Sequence, residues 1–473
     1  MQKNLSIKLA IIGFVTLLLL IPLGMIADKI SERSQFLTRA KQDVSQSWTG
    51  QQTVMTAMVV FPYEVNRETT LVDKVSQKKT LHISKLAKRR FLIPDNIKIN
   101  AQITNDIRHK GIYKIPVYTT RLDISGQINT DSWQAMLKEI KNEAHGGRLG
   151  RPYITTTVSD PRGINSIPTL MWQDKKIPFQ PGSKLLENNK GLHAYLPEMP
   201  PISDKPAADI STGSLSEPIK FTFQLELRGM EAISFIPVGQ AAKVQASSTW
   251  PHPQFIGEFL PASRNISQDG YRANWKITSF ASNISDKITQ CENRVCQPLF
   301  TSDFGIKHIE AVDIYLQSER SVKYSMLFIG LSFISFFIFE VIMKLPIHPI
   351  QYTLVGFAIA IFYLLLISLS EHIAFLLAYL VASLACTGLL LSYLRYVLAG
   401  FKQAFAFAAL LLLLYTALYI IISAEDLALV MGALLTFVCL AIVMFTTRNI
   451  DWYQVGEQLN SKHNAALAAK EEP

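Results

Sequence analysis

The chain has 473 residues, of which 49% are hydrophobic and 18% charged, and its formal net charge is +9. The apolar fraction excludes a disordered chain, which would bury too little apolar surface to offset its ordering entropy. Four cysteines exclude a disulfide-dense scaffold and a cysteine-rich metal array. Residues 28–324 contain 38 Lys/Arg and 29 Asp/Glu, whereas residues 325–446 contain only 7 charged residues in 122 positions. The first density is typical of a water-soluble domain and the second of a membrane bundle.

Six apolar runs are long enough to cross a bilayer, because a helix needs about 20 mostly apolar residues to span a hydrocarbon core of about 30 Å. The runs cover residues 9–27, 325–343, 350–369, 373–394, 401–422 and 427–445. We therefore expect one N-terminal transmembrane anchor, a large intervening domain at 49–324, and a five-helix bundle at 325–446.

The first run has two interpretations, a retained anchor and a cleaved secretory signal. Its length and the poor cleavage site at Met25-Ile26-Ala27 favour the anchor. Beyond it, Ile30, Leu37 and Val44 recur every seven residues, which predicts a helical stalk over 28–48.

The distribution of basic residues predicts the orientation. With the N-terminus inside, every Lys and Arg outside residues 28–324 falls in the cytoplasmic segments 1–8, 344–349, 395–402 and 447–473. The two short outer turns contain Glu371, Glu425 and Asp426 and no basic residue. We therefore expect both termini in the cytoplasm and the large domain on the opposite side.

The large domain is predicted to be β-rich, with antiparallel, sandwich-like sheets. FTFQLEL (221–227) alternates apolar and polar residues, as a half-buried strand does, and Tyr271 to Ile277 repeats the pattern. Residues 132–144 form the one clear helical pattern. A Pro/Ser/Asp-rich break near 197–218 suggests two lobes.

Cys291 and Cys296, in CENRVC, lie outside the membrane in this topology, where an oxidising compartment favours a local disulfide. Two free thiols are the alternative. No second Cys or His pair has metal-ligand spacing, so we predict no metal and no cofactor.

Ionisable residues within membrane spans are functional hypotheses, because burying an isolated charge in hydrocarbon is costly. Glu340 has Lys344 four residues later, and an i,i+4 pair is the simpler interpretation. The alternative is a carboxylate in the bundle interior that contacts the start of the next span at His348.

Glu371 and His372 are predicted to begin the fourth span, after Ser370. A carboxylate is favoured at a helix N-terminus, and Ser370 could cap the first turn. The competing hypothesis is a proton-responsive site at the outer membrane face.

Two basic stretches lie in the large domain. HGGRLGRP (145–152) lacks the ending and the context of a phosphate-binding loop. KLAKRRF (85–91) could contact anionic lipid headgroups or peptidoglycan, but such a run is more often a solvated loop.

Several stretches resemble the CreD family of bacterial inner-membrane proteins, which are described as cell-envelope integrity or colicin-tolerance proteins. They are SWTGQQTVM (47–55), GIYKIPVYTTRLDISG (111–126), WPHPQFIGEFLPASRNISQDGYRANW (250–275), the run from FGIKHIEAVDIYLQSERSVKY (304–324) through LPIHPIQY and SLSEHI to residue 375, and TRNIDWY (447–453). The resemblance implies a Gram-negative inner membrane, a periplasmic domain and control by an envelope-responsive two-component system. It implies no biochemical activity.

These observations predict a non-enzymatic envelope protein whose periplasmic domain binds or senses an envelope component or a protein partner, and whose helices lie in the lipid bilayer. No nucleophile or metalloenzyme motif is present, and the compartment excludes nucleic acid as a partner. The alternative is a small-molecule or lipid transporter of the flippase type, although the spans carry few polar residues and show no inverted repeat.

Overall fold

The computed structural model describes residues 3–72, 79–144, 147–185, 188–197, 217–309, 314–343, 347–398, 400–424 and 428–448. The chain divides into two compact units, each described here by itself. The helical unit comprises Met1–Arg39 and Val312–Pro473, and the β-rich unit comprises Ala40–Ala311. Lys344, Glu425, Asp426 and most of the 197–218 break lie outside the described residues.

The helices, in chain order, are α1 Lys3–Leu18, α2 Leu20–Ser47, α3 Thr130–Ala144, α4 Ser279–Ser282, α5 Ile284–Glu292, α6 Gln297–Phe300, α7 Ile314–Lys323, α8 Ser325–Met343, α9 Pro349–Ser370, α10 Phe375–Val397, α11 Phe401–Ser423 and α12 Ala428–Thr447. Six helical segments of the described chain are long and apolar enough to span a membrane, the N-terminal one and α8 to α12. The predicted set of one N-terminal and five C-terminal apolar helices is confirmed.

The N-terminal helix is interrupted at Leu19, between α1 and α2. Pro22 explains the interruption, because proline has no N–H to donate to the carbonyl of Leu18 four residues earlier. Leu19 itself is fully buried and packs where Gly356 of α9 leaves room: a Cβ at that glycine would lie 2.3 Å from a Leu19 methyl carbon. The glycine therefore permits the close approach of these two helices.

The strands, in chain order, are β1 Gln52–Met55, β2 Met58–Val72, β3 Lys79–Leu92, β4 Asn96–Lys110, β5 Tyr113–Ile128, β6 Tyr153–Thr157, β7 Thr169–Trp172, β8 Lys175–Pro178, β9 Gln180–Pro181, β10 Gly191–Tyr195, β11 Ile219–Met230, β12 Ala232–Ile236, β13 Ala241–Ser248, β14 Pro253–Gly257, β15 Ser263–Ser267, β16 Gly270–Thr278 and β17 Phe304–His308. Within the described ranges they form three sheets, ordered β1-β12-β17-β14, β3-β2-β6-β10-β9 and β15-β16-β13-β4-β5-β11-β7-β8.

The large sheet shows why the sequence pattern was informative. Along β11, Phe221, Phe223 and Leu225 are buried and alternate with more exposed polar residues. These apolar side chains join a core that contains Trp172 and Trp275. The β-rich prediction is confirmed, with one difference: β1 pairs with β12, and β4 with β13, in parallel rather than antiparallel register.

The predicted break near 197–218 does not separate two lobes. Strand β11 follows the break but pairs over its whole length with β5, which precedes it. Strands from both sides of the break therefore belong to one sheet and share one core.

The unit boundaries also differ from the predicted limits of 49 and 324. Ala40, Val44 and Trp48 pack on Ile115 and Val117 of β5, so the last turns of α2 group with the β-rich unit. Helix α7, which the sequence assigned to the large domain, belongs to the helical unit.

Candidate functional site

The β-rich unit contains a cleft of about 1180 Å³ to which three separate sequence motifs contribute. KLAKRRF supplies one wall, HGGRLGRP supplies Arg148 and Arg151, and CENRVC supplies both cysteines. Among the described lining residues, seven are Lys or Arg and three are Glu. The cleft is therefore strongly positive, although none of the three motifs indicated a shared site.

Long antiparallel pairing positions the first wall. KLAKRRF lies in β3, which pairs with β2 from Val72 back to Val59, so the interpretation of this run as a solvated loop is wrong. The pairing places Tyr63 opposite Lys88 and Phe61 opposite Arg90. Because β3 is held by backbone hydrogen bonds, its basic side chains are presented at fixed positions.

One end of the cleft is a closed network of charges. Arg90 donates to Glu143 at 3.0 Å and to Glu292 at 2.9 Å. Lys88 also donates to Glu143, at 2.5 Å, and the Tyr63 hydroxyl donates to it at 2.8 Å. The hydrogen bond from Lys88, with those from Tyr63 and Arg90, lowers the pKa of Glu143 to about 2. Glu143 is therefore ionised and matched by cations, whereas burial raises the pKa of Glu292 above its usual value.

The other end has cations without carboxylates. Arg89 donates to the carbonyl of Lys184 at 2.7 Å, and Arg151 donates to the carbonyl of Leu196 at 3.3 Å. Both Arg151 and Lys184 lie over the ring of Tyr195, at 5.1 and 4.5 Å from its centre. Within the described part of the chain, Arg89, Arg151 and Lys184 form no ion pair. Positive charge is therefore left uncompensated at this end.

Cys291 and Cys296 form a disulfide in the cleft wall, and both are buried. The bridge closes the turn after α5, next to Glu292. The carboxylate of Glu292 accepts a hydrogen bond from the backbone N–H of Phe91 at 2.9 Å as well as from Arg90. The disulfide therefore fixes a residue that anchors the basic strand β3.

Glu340 is buried in the helical unit, where it accepts a hydrogen bond from the hydroxyl of Tyr352 at 2.7 Å and forms an ion pair with Lys8. Lys8 also donates to the carbonyl of Ile347 at 2.9 Å. The carboxylate is thus buried beside the start of α9, where its hydrogen-bond partners are Lys8, Tyr352 and the backbone N–H of Ile347 rather than the predicted His348. His348 itself caps α9, accepting the N–H of Ile350 at its Nδ1.

Glu371 is located differently from the prediction. It is the C-cap residue that follows Ser370 at the end of α9 rather than the first residue of the next span, and α10 begins at Phe375. The N-terminal capping argument is therefore wrong, and Ser370 instead donates to the carbonyl of Ile367 within α9. The helix dipole disfavours a carboxylate at this end.

Two partners offset that penalty for Glu371. Arg33 of α2 lies 3.4 Å from the carboxylate, and Tyr315 of α7 donates to it at 3.4 Å. The neighbouring His372 is exposed. The sequence identified Glu340 and Glu371, but it missed their partners Lys8, Tyr352, Arg33 and Tyr315. Of these four, only Lys8 could have been recognised from the sequence, because a cation at the edge of an apolar run is a candidate partner for a carboxylate in the membrane.

The described residues contain no group of three or more His, Cys, Asp or Glu that could hold a metal ion. Among the described residues, the cleft and the carboxylates Glu340 and Glu371 are the candidate functional features.

Comparison with known proteins assigns the family. The model of the family described as "Inner membrane protein CreD" matches residues 4–453. The chain belongs to the CreD family of inner membrane proteins. It is 32% identical over 441 residues to the inner membrane protein CreD of Escherichia coli strain K12, covering 92% of this chain and 91% of that protein. CreD family membership and the six apolar helices make it a multi-pass inner membrane protein.

Solved structures add little. Two crystal structures of an M1 zinc metallopeptidase from Deinococcus radiodurans align with TM-scores of 0.18 and 0.19 and 7% and 8% identity. The alignments cover 39% and 40% of this chain and 38% and 39% of the other chains. Similarity at this level indicates neither a shared fold nor a shared chemistry.

Proposed function

We propose that this CreD-family protein supports the integrity of the cell envelope without catalysing a reaction, by binding an envelope component with its β-rich unit on the periplasmic side. The observation that carries the proposal is the positive cleft, in which seven basic residues face three glutamates among the described lining. Concave sites with convergent polar groups are where proteins bind ligands, and excess charge attracts a ligand of opposite sign.

Two ion pairs support the proposed orientation. Lys8 and Glu340 lie near the first residues of α1 and the last of α8, whereas Arg33 pairs with Glu371 at the end of α9. At 1.5 Å per residue, the 25 residues from Lys8 to Arg33 span about 38 Å, comparable to a bilayer with its headgroups. This spacing supports a location of the two pairs near opposite membrane faces, and the basic residues of the short loops favour the cytoplasm for the face at Lys8.

Cysteine labelling tests this orientation. Ile266→Cys places a thiol on an exposed strand of the β-rich unit, and Lys402→Cys places one at the start of α11. A membrane-impermeant maleimide should label position 266 in intact spheroplasts and position 402 only after lysis. The reverse pattern would contradict the proposed topology.

Photo-crosslinking in living cells tests the binding role. A photoreactive amino acid at Leu86, which lines the cleft and is 43% exposed, should capture a specific envelope component. The same amino acid at Ile266, which is 45% exposed but lies elsewhere, is the matched control. Identical adducts at both positions, together with unchanged envelope resistance in the variant Arg89→Gln/Arg151→Gln, would refute the proposal.

The transporter alternative has less support, because Glu340 and Glu371 of the helical unit each have a cation and a tyrosine as partners. Such matching favours a role in holding helices together. Substrate flux in proteoliposomes that is lost in Glu340→Gln would instead favour transport.

A further inference from the structure

The uncompensated end of the cleft, which we call the cationic subsite, consists of Arg89, Arg151 and Lys184 with Tyr153 and Tyr195. We propose that the cationic subsite binds the phosphate group of a phosphate monoester, either a soluble ester or the headgroup of a phosphorylated lipid. The proposal rests on the proposed binding function and names the chemistry of the ligand.

The three cations are held in place by neutral acceptors. Arg89 and Arg151 donate to backbone carbonyls, at 2.7 and 3.3 Å, and Lys184 donates to the hydroxyl of Tyr195. These contacts orient the side chains without cancelling their charge. Pre-oriented groups lose less conformational freedom when a ligand binds, which favours affinity.

The charge balance favours phosphate over carboxylate. A single carboxylate would leave most of the charge of three clustered cations unmatched, whereas a phosphate monoester carries about −1.5 to −2 near neutral pH and offers three acceptor oxygens. Two planar guanidinium groups suit such an anion, since each can donate two parallel hydrogen bonds. The cleft volume of about 1180 Å³ leaves room beside the phosphate for the rest of a larger molecule, which favours an ester over inorganic phosphate.

The backbone at Lys184 provides a second observation. Lys184 has φ = 59°, in the left-handed region that side chains other than glycine rarely adopt. This conformation is unfavourable for a residue with a side chain and is found preferentially at functional sites. Its backbone N–H is bonded to the Asn189 side chain at 2.9 Å, and its carbonyl receives Arg89. The strained residue therefore contributes both a cation and the acceptor that orients a second cation.

The neighbouring charged network has a structural role and lies beside the cationic subsite. Arg90 is bonded to Glu143 and Glu292, so it has little positive charge left for a ligand. Arg89, the adjacent residue on β3, points its charge at the subsite instead. One strand thus supplies a structural arginine and a ligand-binding arginine at consecutive positions.

Titration of the full-length protein in nanodiscs of zwitterionic lipid tests the proposal. The probes are inorganic phosphate, glucose 6-phosphate and glucuronate, which differs in carrying a carboxylate; in a second arm the nanodiscs contain lipid A, a phosphorylated glycolipid. We expect glucose 6-phosphate or lipid A to bind, and to bind about tenfold more weakly in Arg151→Gln and in Lys184→Gln. The arm that binds identifies the source of the phosphate.

The control variant Lys243→Gln/Lys276→Gln removes two exposed cations from β13 and β16, outside the cleft. It should bind the probes like the wild type, and its melting temperature and those of the test variants should match the wild type. Binding of glucuronate as tight as that of glucose 6-phosphate, or no binding in either arm, would overturn the proposal. A specific crosslink at Leu86 would then still stand, so the two proposals can fail separately.

Discussion

The helical unit and the cleft of the β-rich unit use the same ionic groups in opposite ways. In the helical unit, Glu340 and Glu371 each have one basic partner and one tyrosine. In the cleft, basic residues outnumber glutamates by seven to three in the described lining. Matched charges hold a structure together, whereas unmatched charges remain available for a ligand.

The dielectric surroundings explain the difference. A charge buried among apolar helices is costly unless it is paired, because little solvent is present to stabilise it. The cleft is open to water, which stabilises excess cations and screens their mutual repulsion. Excess cations are therefore tolerated in the open cleft but not among the buried apolar helices.

The largest effect is expected from breaking the pair at Glu340. Glu340→Gln leaves the largely buried Lys8 without its carboxylate, and we expect a loss of about 3–5 kcal/mol in the free energy of unfolding. Thermal unfolding of the detergent-solubilised protein measures it. The double variant Lys8→Met/Glu340→Gln should recover much of this loss. If the single losses simply add in the double variant, the two residues are not coupled.

His308 tests whether the β-rich unit also has an interior as dry as the helical unit. Burial lowers the pKa of His308 from 6.5 to about 4. Between these values the unfolded chain binds a proton that the folded chain does not, so stability falls as the pH drops, by up to about 3 kcal/mol. Its Nε2 lies 3.0 Å from the Tyr271 hydroxyl.

Urea unfolding at pH 7 and pH 4.5, followed by tryptophan fluorescence, measures this pH dependence. The variant His308→Gln should show a flatter dependence than the wild type. If the free energy of unfolding depended on pH equally in both proteins, His308 would be protonated in the folded protein without loss of stability.

The disulfide provides a covalent constraint that the helical unit lacks in the described residues. Cys291→Ser/Cys296→Ser should lower the free energy of unfolding by about 2 kcal/mol, the small value expected for a loop of few residues. Cys439→Ser, which removes an unbridged thiol, is the control. Addition of a reductant should destabilise the wild type and the control but not the double variant. Equal sensitivity of all three would exclude a stabilising disulfide.

The smallest change in the free energy of unfolding is expected for Glu143, at the end of the cleft where carboxylates and cations are paired. Because its pKa is lowered from 4.5 to about 2, its contribution is complete above pH 4.5 and is lost as the pH falls through 2. Glu143 is partly exposed, so solvent screening limits the loss of unfolding free energy in Glu143→Gln to about 1 kcal/mol. The effect should shrink in high salt, unlike that of Glu340→Gln. Equal salt responses would remove the contrast between the two regions.

The sequence predicted the fold better than the site. Alternation in β11 and the apolar runs are local patterns, and both correspond to elements of the structure. The cleft is different, because β3, the 147–152 segment and the turn after α5 meet only through long-range strand pairing and packing. Each motif, taken alone, had a more ordinary interpretation.

Glu371 shows a second limit of sequence reasoning. SLSE is compatible with the end of one helix or the start of the next, and capping rules favoured the start. In the structure Glu371 follows the end of α9, where Arg33 and Tyr315 from distant helices contact it and offset the unfavourable dipole.

The sequence alone determined the division into a charged region and an apolar bundle, since hydrophobic length and period depend only on neighbouring residues. It also determined which carboxylates had to find partners in the membrane. Only the tertiary structure decided which partners they found, and which arginines were neutralised and which were left over. Charge compensation depends on distances of a few ångströms between residues far apart in the chain, and folding sets those distances.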